Sequence, residues 1–309
     1  MDNQNPYGAG GGGGYGAGGG GGYTAPAGGA AMPGTLDVQD VISTTFRTLG
    51  PALAPILGSA LIVAVPTLLT SLLFQVIIYL VAYREGAPDI AAMQTVGLIG
   101  GAAYLVSMGV LIVANAIGQG GIMYAVAEQL SGRRPTMGQA FRVALGRSPQ
   151  SIVTAFVVAI PVVIGMFMCL VPGVVALIFL CVALPVCIVE RLGPIDSVQR
   201  SISLTEGNRV QIFLIGLVVV LSVMVASCCL MGPVMGIVTI TAASHPGDIA
   251  AMQQMQNPLS WQQLLIHLTQ FPIMVVNTMV QTTVVAVIYA RLRGLRDGVD
   301  AQAIASVFT

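Results

Sequence analysis

The chain has 309 residues, of which 55% are hydrophobic and 8% charged, and its twelve basic and twelve acidic side chains cancel to a formal net charge of zero. An ordinary soluble domain carries about 25% charged residues, so this supply cannot cover a water-facing surface, and the zero balance gives no pull toward nucleic acid. All twelve basic residues are arginine, which fits either GC-rich codon usage or arginine's aptitude for phosphate headgroups.

Residues 1–35 form a glycine tail with two copies of an octapeptide, YGAGGGGG from Tyr7 and again from Tyr15, before a third tyrosine at Tyr23. Such a segment has no apolar surface to bury and is expected to be disordered. It reads either as a solvated tether or as a set of spaced tyrosines for weak multivalent contacts with a partner. It lacks the basic and apolar regions of a secretory signal, so the first span is expected to direct insertion. GAGGGGG is not a phosphate loop, because no strand precedes it and no Lys-Ser or Lys-Thr follows.

From Ala52 onward, apolar stretches long enough to cross a hydrocarbon core of about 30 Å recur. They lie near Ala52–Val81, Gln94–Ala127, Ile152–Leu170, Gly173–Val189, Val210–Ala242 and Leu264–Ala290. The expected fold is all-α: an integral membrane bundle of six transmembrane helices over residues 36–300, with a short C-terminal end at 301–309. Val171-Pro172-Gly173 is expected to turn the third span into the fourth. Kinks are expected near Pro66 and Pro233.

Arginine placement predicts orientation, because short loops rich in basic residues stay in the cytoplasm. Arg47 precedes the first span. Arg133, Arg134, Arg142 and Arg147 separate the second from the third; Arg191, Arg200 and Arg209 separate the fourth from the fifth; Arg291, Arg293 and Arg296 follow the sixth. Only Arg84 is left for the other side, where Ser244–Gln263 forms the main loop. Both termini are then cytoplasmic, as expected of a multi-pass protein of a bacterial inner membrane.

Before each pair of spans lies a short amphipathic segment, an expected elbow helix. The first places Val38, Val41, Ile42, Thr45, Phe46 and Leu49 on one face, the second Met137, Phe141, Ala144 and Leu145, and the third Ile195, Val198 and Ile202 between Pro194 and Gly207. Phe46-Arg47 leads to Val63-Ala64-Val65-Pro66 as Phe141-Arg142 leads to Val158-Ala159-Ile160-Pro161, at the same spacing. Chance similarity between valine-rich spans or a threefold elbow-and-hairpin pseudo-repeat would produce this. Elbows of this kind would lie in the interface plane with the apolar face down.

The run LVPGVVALIFLCVALPVCIVERLGPIDSVQRSISLTEGNRVQIF, from Leu170 to Phe213, resembles the membrane domain of bacterial glycerophosphoryl diester phosphodiesterases. GRRPTMGQAFRVAL and IYARLRGLRDGVDAQAI are also similar to it, so the resemblance covers residues 36–305. Ile202 stands where the family usually has an aromatic residue, and Arg291 where it has an acidic one. The resemblance implies the fold of a membrane domain. The enzymes of the family join it to a separate catalytic barrel, which residues 36–309 do not contain, so a non-enzymatic protein is expected.

No span carries a charged side chain near its centre, so proton-coupled transport lacks its usual parts. The candidate intramembrane polar site is made of Asn115 and Gln119 on the second span and Asn277 and Gln281 on the sixth, each pair sharing a helical face. These amides either fix packing by interhelical hydrogen bonds or line a pocket for a ligand or permeant. Gly118, Gly120 and Gly121, with Gly97, Gly100 and Gly101, suit close helix approach or a loosened substrate site. Glu190 with Arg191, and Glu206 with Arg209, read as interfacial charge pairs. Cys169, Cys181, Cys187, Cys228 and Cys229 lie in apolar runs without disulfide or zinc spacing, and His245 and His267 stand apart from them. No catalytic residue, metal or cofactor is expected. The expected partners are the lipid bilayer and a protein meeting the cytoplasmic face or the tail, and an accessory or scaffold role is preferred over a small-molecule or lipid permease.

Overall fold

The computed structural model describes residues 35–80, 90–243 and 260–298. The glycine tail, Arg84, His245, most of the Ser244–Gln263 loop and the 301–309 end lie outside the described residues.

Within them the chain is helical, without a strand. The elements are α1 (Val38–Leu49), α2 (Leu53–Ile78), α3 (Ile90–Leu130), α4 (Met137–Gly146), α5 (Ser148–Met168), α6 (Leu170–Leu180), α7 (Ala183–Glu190), α8 (Pro194–Thr205), α9 (Arg209–Ala243) and α10 (Trp261–Asp297). Among the described residues six segments are long and apolar enough to cross a membrane: α2, α3, α5, α6 with α7, α9 and α10. The large apolar side chains they leave exposed include Leu69, Leu73, Leu105, Phe167, Met224, Ile240 and Leu268. Such a surface is stable in lipid and would aggregate in water.

The turn between the third and fourth segments falls earlier than the sequence suggests. Cys169, with extended backbone, separates α5 from α6, and Val171-Pro172-Gly173 lies in the first turn of α6. Proline is tolerated there because the first-turn N–H groups have no intrahelical acceptor. The glycine serves proximity rather than reversal: a Cβ on Gly165 would come within 2.8 Å of the Cα of Gly173.

The fourth segment also breaks, at Cys181-Val182. Pro185 has no N–H to give the Cys181 carbonyl and its ring crowds that group, so the ladder restarts as α7. The hydroxyl of Ser201 on α8 donates to the Phe179 carbonyl at 2.8 Å, which satisfies one acceptor at the free end of α6.

Helix α10 is the hub, packing on α1, α2, α3, α7, α8 and α9. The core gathers Ile56, Ile122, Val126, Val186, Leu204, Ile215, Tyr289 and Leu292. These residues sit toward the end of the bundle where α1, α4 and α8 lie. Asp40 on α1 binds Arg291 on α10 at 2.9 Å, so the chain enters its first spanning segment and leaves its last at the same face.

On α1, α4 and α8 the bundle-facing side is mostly small residues, joined by Val41 of α1 and Leu204 of α8 in the core. In α4, Ala140 and Ala144 are buried while Met137, Phe141 and Leu145 are exposed; in α8, Ser197, Ser201 and Thr205 are buried while Ile195 is exposed; in α1, Thr45 and Thr48 are buried while Phe46 is exposed.

Candidate functional site

The amides stand near the middle of two long helices. Asn115 and Gln119 are on α3, one turn apart, and Thr278, Gln281 and Thr282 are on α10. Together with Cys181, Leu177, Leu180, Leu184, Val158 and Val285 they line a cavity of about 310 Å³, at the small end of the range for ligand sites. Three of the four predicted amides therefore converge. Asn277 does not line this cavity; its Oδ1 is buried without a hydrogen-bond partner. The reason is angular: Thr278, Gln281, Thr282 and Val285 share one stripe of α10, and at about 100° per residue Asn277 lies roughly 90° from the centre of that stripe.

Asn115 donates through Nδ2 to the Leu111 carbonyl of its own helix at 2.9 Å. That bond leaves its side-chain oxygen as an acceptor toward the cavity's polar part. With hydroxyls of Thr278 and Thr282 opposite, the arrangement offers uncharged donors and acceptors on one side and leucines and valines on the other. It can hold an amphipathic or weakly polar molecule, and the free thiol of Cys181 is the one nucleophilic group of its side chains besides the hydroxyls of Thr278 and Thr282, with no carboxylate or histidine among its described lining. Among the described residues no group of three or more His, Cys, Asp or Glu could hold a metal ion.

Gly118, Gly120 and Gly121 beside this site are required by packing. A Cβ on Gly118 would meet Val63 Cγ2 at 2.5 Å and the Ser59 carbonyl at 3.0 Å; on Gly121 it would overlap the Ser59 hydroxyl; on Gly120 it would press the Ala144 backbone at 3.3 Å. Gly97 and Gly101 have open space around them. The two glycine clusters look alike in sequence, but only the first stands at an approach too close for a Cβ, whereas a Cβ on Gly100 would meet the Phe74 ring at an ordinary 3.6 Å.

At the core end a charge network joins α7, α8 and α10. Glu190 Oε2 accepts from Arg200 Nε at 3.1 Å, and its Oε1 accepts from the Tyr289 hydroxyl at 3.1 Å. Arg200 also donates to Asp297, and Arg293 donates to the Tyr289 oxygen at 3.2 Å, with Nε 3.9 Å from both Glu190 and Asp297. Burial draws the Arg200 guanidinium's pKa down, but Glu190 and Asp297 outweigh it and the net shift is upward. A raised pKa on a cation stabilises the fold at every pH below the unfolded value and is lost only as pH climbs through the folded one. Arg200 is therefore a fixed cation throughout the physiological range.

The charge pairs differ from those suggested by sequence neighbours. Glu190 pairs with Arg200, ten residues on, and Glu206 with Arg296 at 2.9 Å, ninety residues on. Arg209 instead stacks over the Phe179 ring, 3.9 Å from its centroid. The α8 helix carries Arg200 back over the exit of α7, which spacing along the chain could not reveal.

No family model, no curated protein and no solved structure matches this chain. The likeness of residues 36–305 to the phosphodiesterase membrane domain thus rests on the quoted residues alone.

Proposed function

We propose that the chain is a non-enzymatic polytopic protein of a bacterial inner membrane, an accessory or scaffold domain that presents a fixed arginine-rich end to lipids or a partner protein. The observation that carries this reading is the network of Glu190, Arg200, Tyr289, Arg293 and Asp297, which ties three helices at one end while the opposite ends carry exposed apolar side chains. The hydrogen bonds of Glu190, Arg200 and Asp297 tie α7, α8 and α10 to one another, with Arg293 Nε held by ion-pair contacts at 3.9 Å and no hydrogen bond, and a basic end tied across three helices suits a docking platform. By the arginine bias this end and both termini face the cytoplasm. The outward large side chains of α1, α4 and α8 support the placement of these helices as elbows in the interface, and Phe46 with Pro66 against Phe141 with Pro161 supports a pseudo-repeat. Membership of the phosphodiesterase membrane-domain family is part of the same proposal.

The test is reconstitution of the purified full chain in liposomes. It is expected to hydrolyse no glycerophosphodiester, to pass no solute beyond the empty-liposome rate, and to retain lipid or a protein through detergent extraction. Turnover or flux without a partner would overturn the reading.

A second reading, a permease for small amphipathic or lipidic molecules, is favoured by the convergence of Asn115, Gln119 and Gln281 on one mid-helix cavity. Solute flux abolished by Gln119→Leu would select it.

A further inference from the structure

A second cavity, of about 590 Å³, opens where α4, α5 and α7 meet. Three guanidinium-bearing residues line it, Arg142 of α4, Arg147 before α5 and Arg191 after α7, with Gln150 and Cys187 beside them and no acidic residue among its described lining. Arg147 donates to the Ile188 carbonyl, which anchors it to the C-terminal turn of α7.

Two further features point the same way. The N-terminus of α5, a helix of 21 residues, reaches the cavity at Pro149 and Gln150, so its positive dipole end adds to the arginine field. Arg191 sits in the left-handed backbone region, with φ 56°, the one described non-glycine residue with positive φ. That conformation ends α7 and is one glycine adopts with less strain. Arg191 thus lines the cavity from the residue at which α7 ends.

We propose that this cavity binds a phosphate group, supplied by the headgroup of an anionic lipid. Planar guanidiniums match phosphate oxygens with paired hydrogen bonds, and exposed Phe141 and Leu145 on the adjoining α4 would lie against acyl chains while the headgroup is held. The inference rests on the proposed lipid-facing end and adds to it a defined site.

The test uses the purified full chain in neutral detergent, with phosphatidylglycerol and phosphatidylcholine as competing probes and native mass spectrometry counting the bound lipid. The wild-type chain is expected to retain phosphatidylglycerol preferentially. Arg191→Gly relieves the backbone while deleting the guanidinium, so it should fold at least as stably and yet lose affinity by about five-fold, as should Arg142→Gln, each being the loss of one cation at a phosphate. Arg142→Lys should restore part of it. Competition by millimolar inorganic phosphate would assign the site to free phosphate; its absence would assign it to lipid. Wild-type selectivity in Arg191→Gly and Arg142→Gln would overturn the site. An equal loss in Arg133→Gln and Arg134→Gln would also overturn it, leaving only a diffuse basic face, and in that case the lipid-contacting reading of the whole end would stand.

Discussion

Replacing Glu190 with glutamine tests whether the core-end network locks the bundle. Glu190→Gln keeps the shape and can still accept from Tyr289, but Arg200 and Arg293, with side chains 28% and 10% exposed, would then share the single carboxylate of Asp297. Breaking a buried ion pair by removing one partner costs about 3–5 kcal/mol. Asp297 stays in place and Arg200 is partly solvated, so a destabilisation of about 2–3 kcal/mol is expected. The comparison is Asp40→Asn, which breaks the exposed pair with Arg291, at 43% and 47% exposure, and should cost about 0.2–1 kcal/mol. Both can be read from detergent-induced unfolding in mixed micelles, following thiol labelling of Cys187, which is 3% exposed, in a background where Cys169, Cys181, Cys228 and Cys229 are alanine. Equal, small shifts for the two variants would refute the claim that the network is a lock.

Other substitutions separate features that look alike in sequence. Gly121→Leu should lower stability by about 1–3 kcal/mol through overpacking against Ser59, whereas Gly101→Leu, with open space around it, should leave the unfolding midpoint unchanged. Ser201→Ala removes the donor to the Phe179 carbonyl at the α6 break and should cost about 1–3 kcal/mol; Ser222→Ala, whose hydroxyl bonds its own exposed helix, should be neutral in the same assay. Gln119→Leu should be tolerated in the fold; a loss of stability without change in lipid content would favour packing by interhelical hydrogen bonds, and unchanged stability with altered lipid content would favour a ligand role for the cavity.

The helical, membrane-spanning character was legible because apolar run length and charge scarcity are properties of the chain itself. The position of the polar amides was partly legible: the four-residue spacing places Asn115 and Gln119 on one face, but which face of α10 meets them depends on how that helix is rotated in the bundle, and Asn277 falls outside. Pro172 misled about where a helix stops and the break before Pro185 went unread within an apolar run, because proline suits a first turn as well as a break, and only the placement of Cys169 and Cys181 separates the two cases. The partners of Glu190 and Glu206 were hidden because α8 and α10 are brought together by packing at separations of up to 99 residues. The arginine cavity was hidden for the same reason: Arg142, Arg147 and Arg191 come from three elements, and a loop-by-loop count of basic residues registers only their side of the membrane.

The most direct measurement is topology in the living membrane. A cytoplasmic reporter fused after Gly132, between α3 and α4, and a periplasmic reporter fused after Gly247, between α9 and α10, should both be active, since the account places the arginine-rich end inside and three helical hairpins across the bilayer. Activity of a periplasmic reporter at Gly132, or of a cytoplasmic one at Gly247, would contradict it.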